Sequence, residues 1–201
     1  MATYKEEVGT AVQNIAGDTG TVAGQLWYDS SDSEFKYKYQ AYGNAWSTGN
    51  SMNTGRSLAM GFGTQTAALA TGGENPGPSY LVDTELYNGT SWTEVNNLDT
   101  AVSAAGAAGV QTSGLVFAGF VPGSPSGVTG TETWNGTNWT EVNAMGTARF
   151  YLAGAGVSNT SALGFGGTGP TANTESWNGT NWTEVNNLNT ARRQLMGSGT
   201  Q

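Results

Sequence analysis

The stretch TESWNGTNWTEVNNLNTARR, Thr174 to Arg193, is nearly a copy of TELYNGTSWTEVNNLDTAVS from Thr84 and of TETWNGTNWTEVNAMGTARF from Thr131. In each copy, short runs of β-type residues flank an Asn-Gly pair, the strongest short-range hairpin signal. Asn88-Gly89, Asn135-Gly136 and Asn178-Gly179 are accordingly read as type I′ turns.

Outward from these copies the register persists. Trp46, Trp92, Trp139 and Trp182 are spaced by 46, 47 and 43 residues. Arg56, Val102, Arg149 and Arg192 stand ten residues after them, and Gly63, Gly109, Gly156 and Gly199 seven further on. A period of 40–50 residues marks a propeller or a solenoid. One unit reads as four short strands. SLAMGFG after Arg56 is small and glycine-rich, which suits a crowded inner strand, and TAALATGG is a second apolar run. Its counterparts are SGLVFAGF and SALGFGG, and TELYNG with SWTEV forms the outer hairpin. No helical periodicity competes.

A unit of this size cannot bury enough surface alone and must stack on neighbours. Trp92, Trp139 and Trp182, with Tyr87, Trp134 and Trp177 five residues before them, are expected between blades. Fully burying one such ring contributes about 4–6 kcal/mol gross.

Composition limits the function. Seven basic and fifteen acidic residues give a net charge of -8, which argues against nucleic acid or an anionic membrane as partner. Cysteine and histidine are both absent. Thiol nucleophiles, zinc–thiolate sites and the commonest general base are thereby excluded. No secretory signal is read at the N-terminus, and no apolar run approaches the ~18 residues of a membrane span. The 31 glycines would suit disorder, but seven Trp, eight Tyr and six Phe indicate a turn-rich β protein.

The recurring order is an apolar strand ending in Gly-Gly, an aromatic, a Trp, then Leu/Met-x-Thr-Ala-Arg. It resembles the kelch repeat of β-propellers from about Trp46 to Gln201. The second unit departs from it, with Ala118-Gly119-Phe120 for the glycine pair and Val102 for Arg. The segment GTAVQNIAGDTGTVAGQLWYDSSDSEFKYKYQ, followed by AWSTGNSMNTGR, resembles kelch-like structural proteins of tailed, especially marine, bacteriophages. The resemblance implies an all-β, kelch-like propeller of four-stranded antiparallel blades with an N-terminal attachment segment over 1–24. Complete units are expected at about 56–98, 102–145 and 149–188, with a partial blade assembled from 25–55 and 191–201. RRQLMGSGTQ starts an inner strand without its successor, so either another subunit completes the ring or the sequence is cut short. Ending in mid-repeat favours the second.

Candidate chemistry is sparse. Glu85, Glu132 and Glu175 precede each Trp, and Glu94, Glu141 and Glu184 follow it. Paired carboxylates suit glycosidase work, but residues occurring once per blade are spread around a ring. They are expected to pair with Arg, including Arg149 and Arg192, or to cap amides between blades. The sequons at Asn88, Asn135, Asn138, Asn159, Asn178 and Asn181 are read as turn and strand residues. Asp29, Asp32 and Glu34 lack a calcium-loop pattern and read as a solvated hairpin tip. GFGTQ and GFGGTG lack the Lys-Ser/Thr and the helix of a phosphate loop. The copper-oxidase version of the kelch fold needs His and Cys ligands, so no metal or cofactor is expected, nor any catalytic residue.

The loops between second and third strands, ENPGPSYLVD, VPGSPSGVTG and TGPTAN, vary while the strands around them barely change. They are expected to share one face with the blade-to-blade connections, where binding sites concentrate. Asn75, Pro76, Tyr80, Leu81, Pro122, Ser124, Pro125 and Pro170 are the candidate contacts, with Tyr80 and Leu81 the leading ones expected to be exposed. The resulting expectation is a non-enzymatic virion component in a tail, fibre or capsid-surface position. It would assemble in the host cytoplasm, bind other virion proteins or a host-surface glycan, and be homo-oligomeric. The rival expectation is an intracellular kelch adaptor using the same face.

Overall fold

The computed structural model describes residues 4–5, 11–15, 26–37, 48–77 and 79–200. They hold sixteen strands and no helix. The chain divides into two compact units, Met1–Thr48 and Gly49–Gln201.

In the first unit, β1 (Tyr4–Lys5), β2 (Ala11–Ile15), β3 (Leu26–Asp29) and β4 (Glu34–Tyr37) form one sheet in that order. β2 and β3 run parallel, and β3 and β4 form an antiparallel hairpin pairing Tyr28 with Phe35. Their rings meet edge to face at 5.2 Å, while Trp27 is buried on the opposite side of β3. The LWYD and EFKY strands therefore extend the sheet of the N-terminal segment. The division falls after Thr48, and within the second unit Arg192, Gln194 and Gly199 bond to the third repeat.

The second unit contains three successive antiparallel meanders. The first comprises β5 (Met60–Thr64), β6 (Ala67–Thr71), β7 (Thr84–Tyr87) and β8 (Trp92–Val95). The second comprises β9 (Gly106–Val110), β10 (Ser113–Phe117), β11 (Thr131–Trp134) and β12 (Trp139–Val142). The third comprises β13 (Ala153–Ser158), β14 (Ser161–Phe165), β15 (Thr174–Trp177) and β16 (Trp182–Val185). The inner strand β5 packs on β9, and β9 on β13. These are blades of a β-propeller array, at the positions the repeat predicts. Among the described residues no strand pairing closes the array into a ring.

Small residues make the stacking possible. A Cβ on Gly154 of β13 would stand 2.2 Å from the Ala107 carbonyl oxygen of β9, so only glycine lets these backbones approach so closely. Beyond the third blade, the last residues repeat the contact. Gly156 N–H donates to Gly199 O at 3.0 Å, and Gln194 N–H to Tyr151 O at 2.9 Å.

Aromatic rings fill the outer blade interfaces. Trp139 joins Met60, Leu69, Leu98, Val102, Val116 and Trp134 in a core between the first two blades. Its Nε1–H donates to Thr84 Oγ1 of the preceding blade at 3.0 Å. Trp182 repeats the link to Thr131 Oγ1 at 3.0 Å and lies 4.8 Å from the Phe117 ring. Trp134 and Trp177 are fully buried, whereas Tyr87 and Trp92 on the first blade are half-buried. Trp46 lies outside the described residues.

The Asn-Gly turns differ from the expectation. Tyr87 pairs with Trp92, Trp134 with Trp139 and Trp177 with Trp182, so each loop has four residues. The glycines are left-handed (Gly89 φ 91°), but none of the three asparagines has the positive φ that a type I′ turn requires. The asparagine side chain closes the loop instead. Asn88 Oδ1 accepts Thr90 N–H and Ser91 N–H at 2.9 Å each, an Asx arrangement repeated at Asn135 and Asn178.

Candidate functional site

The carboxylates that recur through the blades belong to a clasp. In the first blade Glu85 accepts Asn53 N–H at 2.7 Å and Thr54 N–H at 3.1 Å, from the segment leading into the blade. The Arg56 guanidinium meets Glu85 at 2.7 Å and also donates to Gly72 O and Asp83 O. In the third blade Glu175 accepts Gly146 N–H at 2.7 Å. Arg149 meets Glu175 at 2.9 Å and donates to Asn173 O and Gly166 O. Arginine pairing and capping of the links thus meet in one device, and both ion pairs lie within a blade. Burial would raise the Glu85 carboxyl, but the Asn53 and Thr54 amides and the Arg56 guanidinium outweigh it and hold it below its ordinary value. Arg192 is exposed, with Nε directed at Thr190 O, and it forms no ion pair among the described residues.

Strand register also sets each blade's two glutamates directly opposite one another: Glu85 with Glu94, Glu132 with Glu141, and Glu175 with Glu184. The carboxylates are therefore brought together two by two rather than dispersed singly. In the first and third blades the inner one is neutralised by arginine.

The other marked residues serve structure. Asn159 Nδ2 donates to Trp134 O, Asn138 accepts from Asn96, and Asn181 accepts from Asn143, so these three sequon asparagines tie blades together. Asp29 is fully buried, not solvated, and accepts Ser31 N–H and the Lys36 ammonium. Lys36 also pairs with the exposed Asp32. No group of three or more acidic side chains among the described residues could hold a metal ion.

The loops and blade connections do share a face. Each connection contains one left-handed residue, Leu58 (φ 51°), Ala104 (50°), Tyr151 (56°) and Gln194 (55°), at a cost of ~1–2 kcal/mol each. The conformation turns their backbones into a chain of inter-blade bonds, Ala104 N–H to Leu58 O and Tyr151 N–H to Ala104 O. Isolated bridges join loop bases to these connections: Ser57 with Glu74, Ser103 with Phe120, and Thr171 with Arg192.

Here the rings of three blades meet. Tyr80 lies 5.7 Å from Phe120, Phe120 5.3 Å from Phe150, and Phe150 5.0 Å from Tyr151. A cleft of about 200 Å³ opens among Leu58, Glu74, Tyr80, Ser103, Ala104, Phe120, Phe150 and Tyr151. Glu74 Oε1 accepts the Ser103 hydroxyl at 2.8 Å, which fixes the carboxylate at the rim. Apolar walls with a few placed polar groups are the make-up of a ligand site. The arrangement offers stacking and hydrogen-bond acceptance.

Of the candidate contacts, Tyr80 lines this cleft. Leu81 is buried, its N–H bonded to Gly73 O, and cannot be an exposed contact. Asn75 folds its own loop by accepting Ser79 N–H, and Ser124 does likewise by donating to Gly127 O. Pro76, Pro122, Pro125 and Pro170 stand exposed on the loops and do not line the cleft. Glu74, Phe120, Phe150 and Tyr151 were not anticipated. Their signal lay in comparing repeats, since Phe150-Tyr151 stands where the other blades carry Ser57-Leu58 and Ser103-Ala104.

The fold and cleft define a β-propeller-type repeat protein with an aromatic loop face. No family model matches the chain, and no curated protein is similar to it.

Proposed function

We propose that this chain is a non-enzymatic structural protein of a bacteriophage particle, in a tail, fibre or capsid-surface position, whose aromatic loop face binds a glycan on the host surface. The carrying observation is the ladder Tyr80–Phe120–Phe150–Tyr151 beside Glu74 and Ser103. A sugar ring presents apolar C–H faces to aromatic rings while its hydroxyls seek acceptors such as a carboxylate. A rigid scaffold with ligand contacts in its variable loops is a common division of labour. The kelch assignment rests on the Gly-Gly, Trp and Thr-Ala-Arg pattern. The virion assignment rests on the likeness of the GQLWYD and EFKY segment to phage structural proteins. Mass spectrometry of purified particles tests the placement. Finding the chain at a fixed copy number supports it, and its absence from particles overturns it.

A further inference from the structure

We propose that the middle blade carries a second binding site, a cavity between Val102 and Glu132 that takes an alkylguanidinium cation.

The three blades provide their own comparison. In the first and third, an arginine enters from the blade connection, places one nitrogen on the buried glutamate, and donates from another to two backbone carbonyls. Those carbonyls belong to Gly72 and Asp83 in the first blade and to Gly166 and Asn173 in the third. The middle blade keeps this frame. Ala118 takes the left-handed conformation of Gly72 and Gly166 (φ 58°, 61° and 68°). Ala118 N–H donates to Gly130 O at 2.7 Å, as Gly72 does to Asp83 and Gly166 to Asn173. Glu132 accepts Asp99 N–H at 2.8 Å and Thr100 N–H at 3.0 Å. The arginine itself is missing: the residue at its position is Val102.

A cavity of about 220 Å³ lies where the guanidinium sits in the sister blades. Ala118, Gly130 and Glu132, equivalents of the groups that receive it, line one part. Val116, Val121 and Val128 supply apolar walls suited to the flat faces of a guanidinium and its stem. The exposed Glu141 stands at the solvent side and adds a second negative charge. The volume exceeds the roughly 150 Å³ of an apolar cavity that accepts benzene. Glu132 is 7% exposed and has no cation partner among the described residues. Burial raises its carboxyl above the ordinary range, only partly opposed by the two amides, with the Asp99 and Glu141 charges adding to the rise. A planar cation with several donors answers the carboxylate and the carbonyls together, which a compact ammonium does not.

The test is a titration of the whole chain with ethylguanidinium at low millimolar concentration, followed through the backbone amide signals of Asp99 and Thr100. Saturable shifts of these two signals, absent with ethylurea and weaker with ethylammonium, are expected. Glu132→Gln is expected to weaken binding roughly tenfold or more. Val102→Arg should abolish binding by supplying the guanidinium from within. Unchanged amide signals in the wild-type chain would overturn the proposal. So would binding that survives Val102→Arg undiminished. Should Val102→Arg fail to fold, the wild-type titration with its urea control decides alone.

Discussion

The Arg149 guanidinium lies 2.9 Å from the Glu175 carboxylate inside the third blade, with both side chains almost wholly withdrawn from water. Arg56 and Glu85 repeat the pair in the first blade at 2.7 Å, and Val102 breaks the series in the second. Removing one member of such a pair strands the other. Arg149→Met is therefore expected to destabilise the chain by about 3–5 kcal/mol, measured by denaturant unfolding. Arg192→Met, at an exposed residue, is expected to change stability by less than about 0.5 kcal/mol.

The same comparison fixes opposite pH dependences. Glu85 is held below its ordinary value, so its contribution is present above the unfolded carboxyl pKa of about 4.3 and is lost as pH falls through the folded value. Glu132 is held above its ordinary value, so its contribution is present below about pH 4.3 and is lost as pH rises through the folded value. Unfolding free energies measured across this range should show Glu132→Gln gaining on the wild type as pH rises. Val102→Arg should reduce that slope by pairing the carboxylate.

The tryptophan links separate two outwardly identical residues. Trp139 Nε1 bonds to Thr84 Oγ1 in a buried interface, whereas the half-buried Trp92 makes no such bond among the described residues. Trp139→Phe should cost about 1–3 kcal/mol, since it also leaves the Thr84 hydroxyl short of a donor. Trp92→Phe should cost under about 1 kcal/mol. Equal losses in thermal unfolding would contradict the account of the interface.

Glycine substitutions test the stacking of inner strands. Gly154→Ala drives a methyl group onto the Ala107 carbonyl oxygen and should destabilise by several kcal/mol or prevent folding. Gly130→Ala meets nothing within 4 Å and is expected to be nearly neutral.

Strand positions were legible because apolar alternation, Asn-Gly pairs and glycine-rich inner strands recur in register, so each repeat corroborates the others. The turn type was not, because the Asn88 side chain builds a four-residue loop that propensity alone cannot distinguish from a two-residue one. Tyr80 and Leu81 could not both be contacts, since successive residues of an extended segment point to opposite sides. The parallel pairing of β2 with β3 joins strands ten residues apart and leaves no local pattern. The cleft was hidden for another reason. Phe120, Phe150 and Tyr151 occupy positions inside the repeating frame, where a search for variable loops does not look.

The aromatic face is proposed to bind a glycan while the repeats only support it. Binding of the purified chain to an immobilised glycan panel tests this most directly, with Tyr80→Ala and Phe120→Ala measured alongside and their melting temperatures recorded. Selective binding by the wild type, lost in both variants while the fold is retained, is expected. No binding by the wild type, or binding undiminished in both variants, would contradict it.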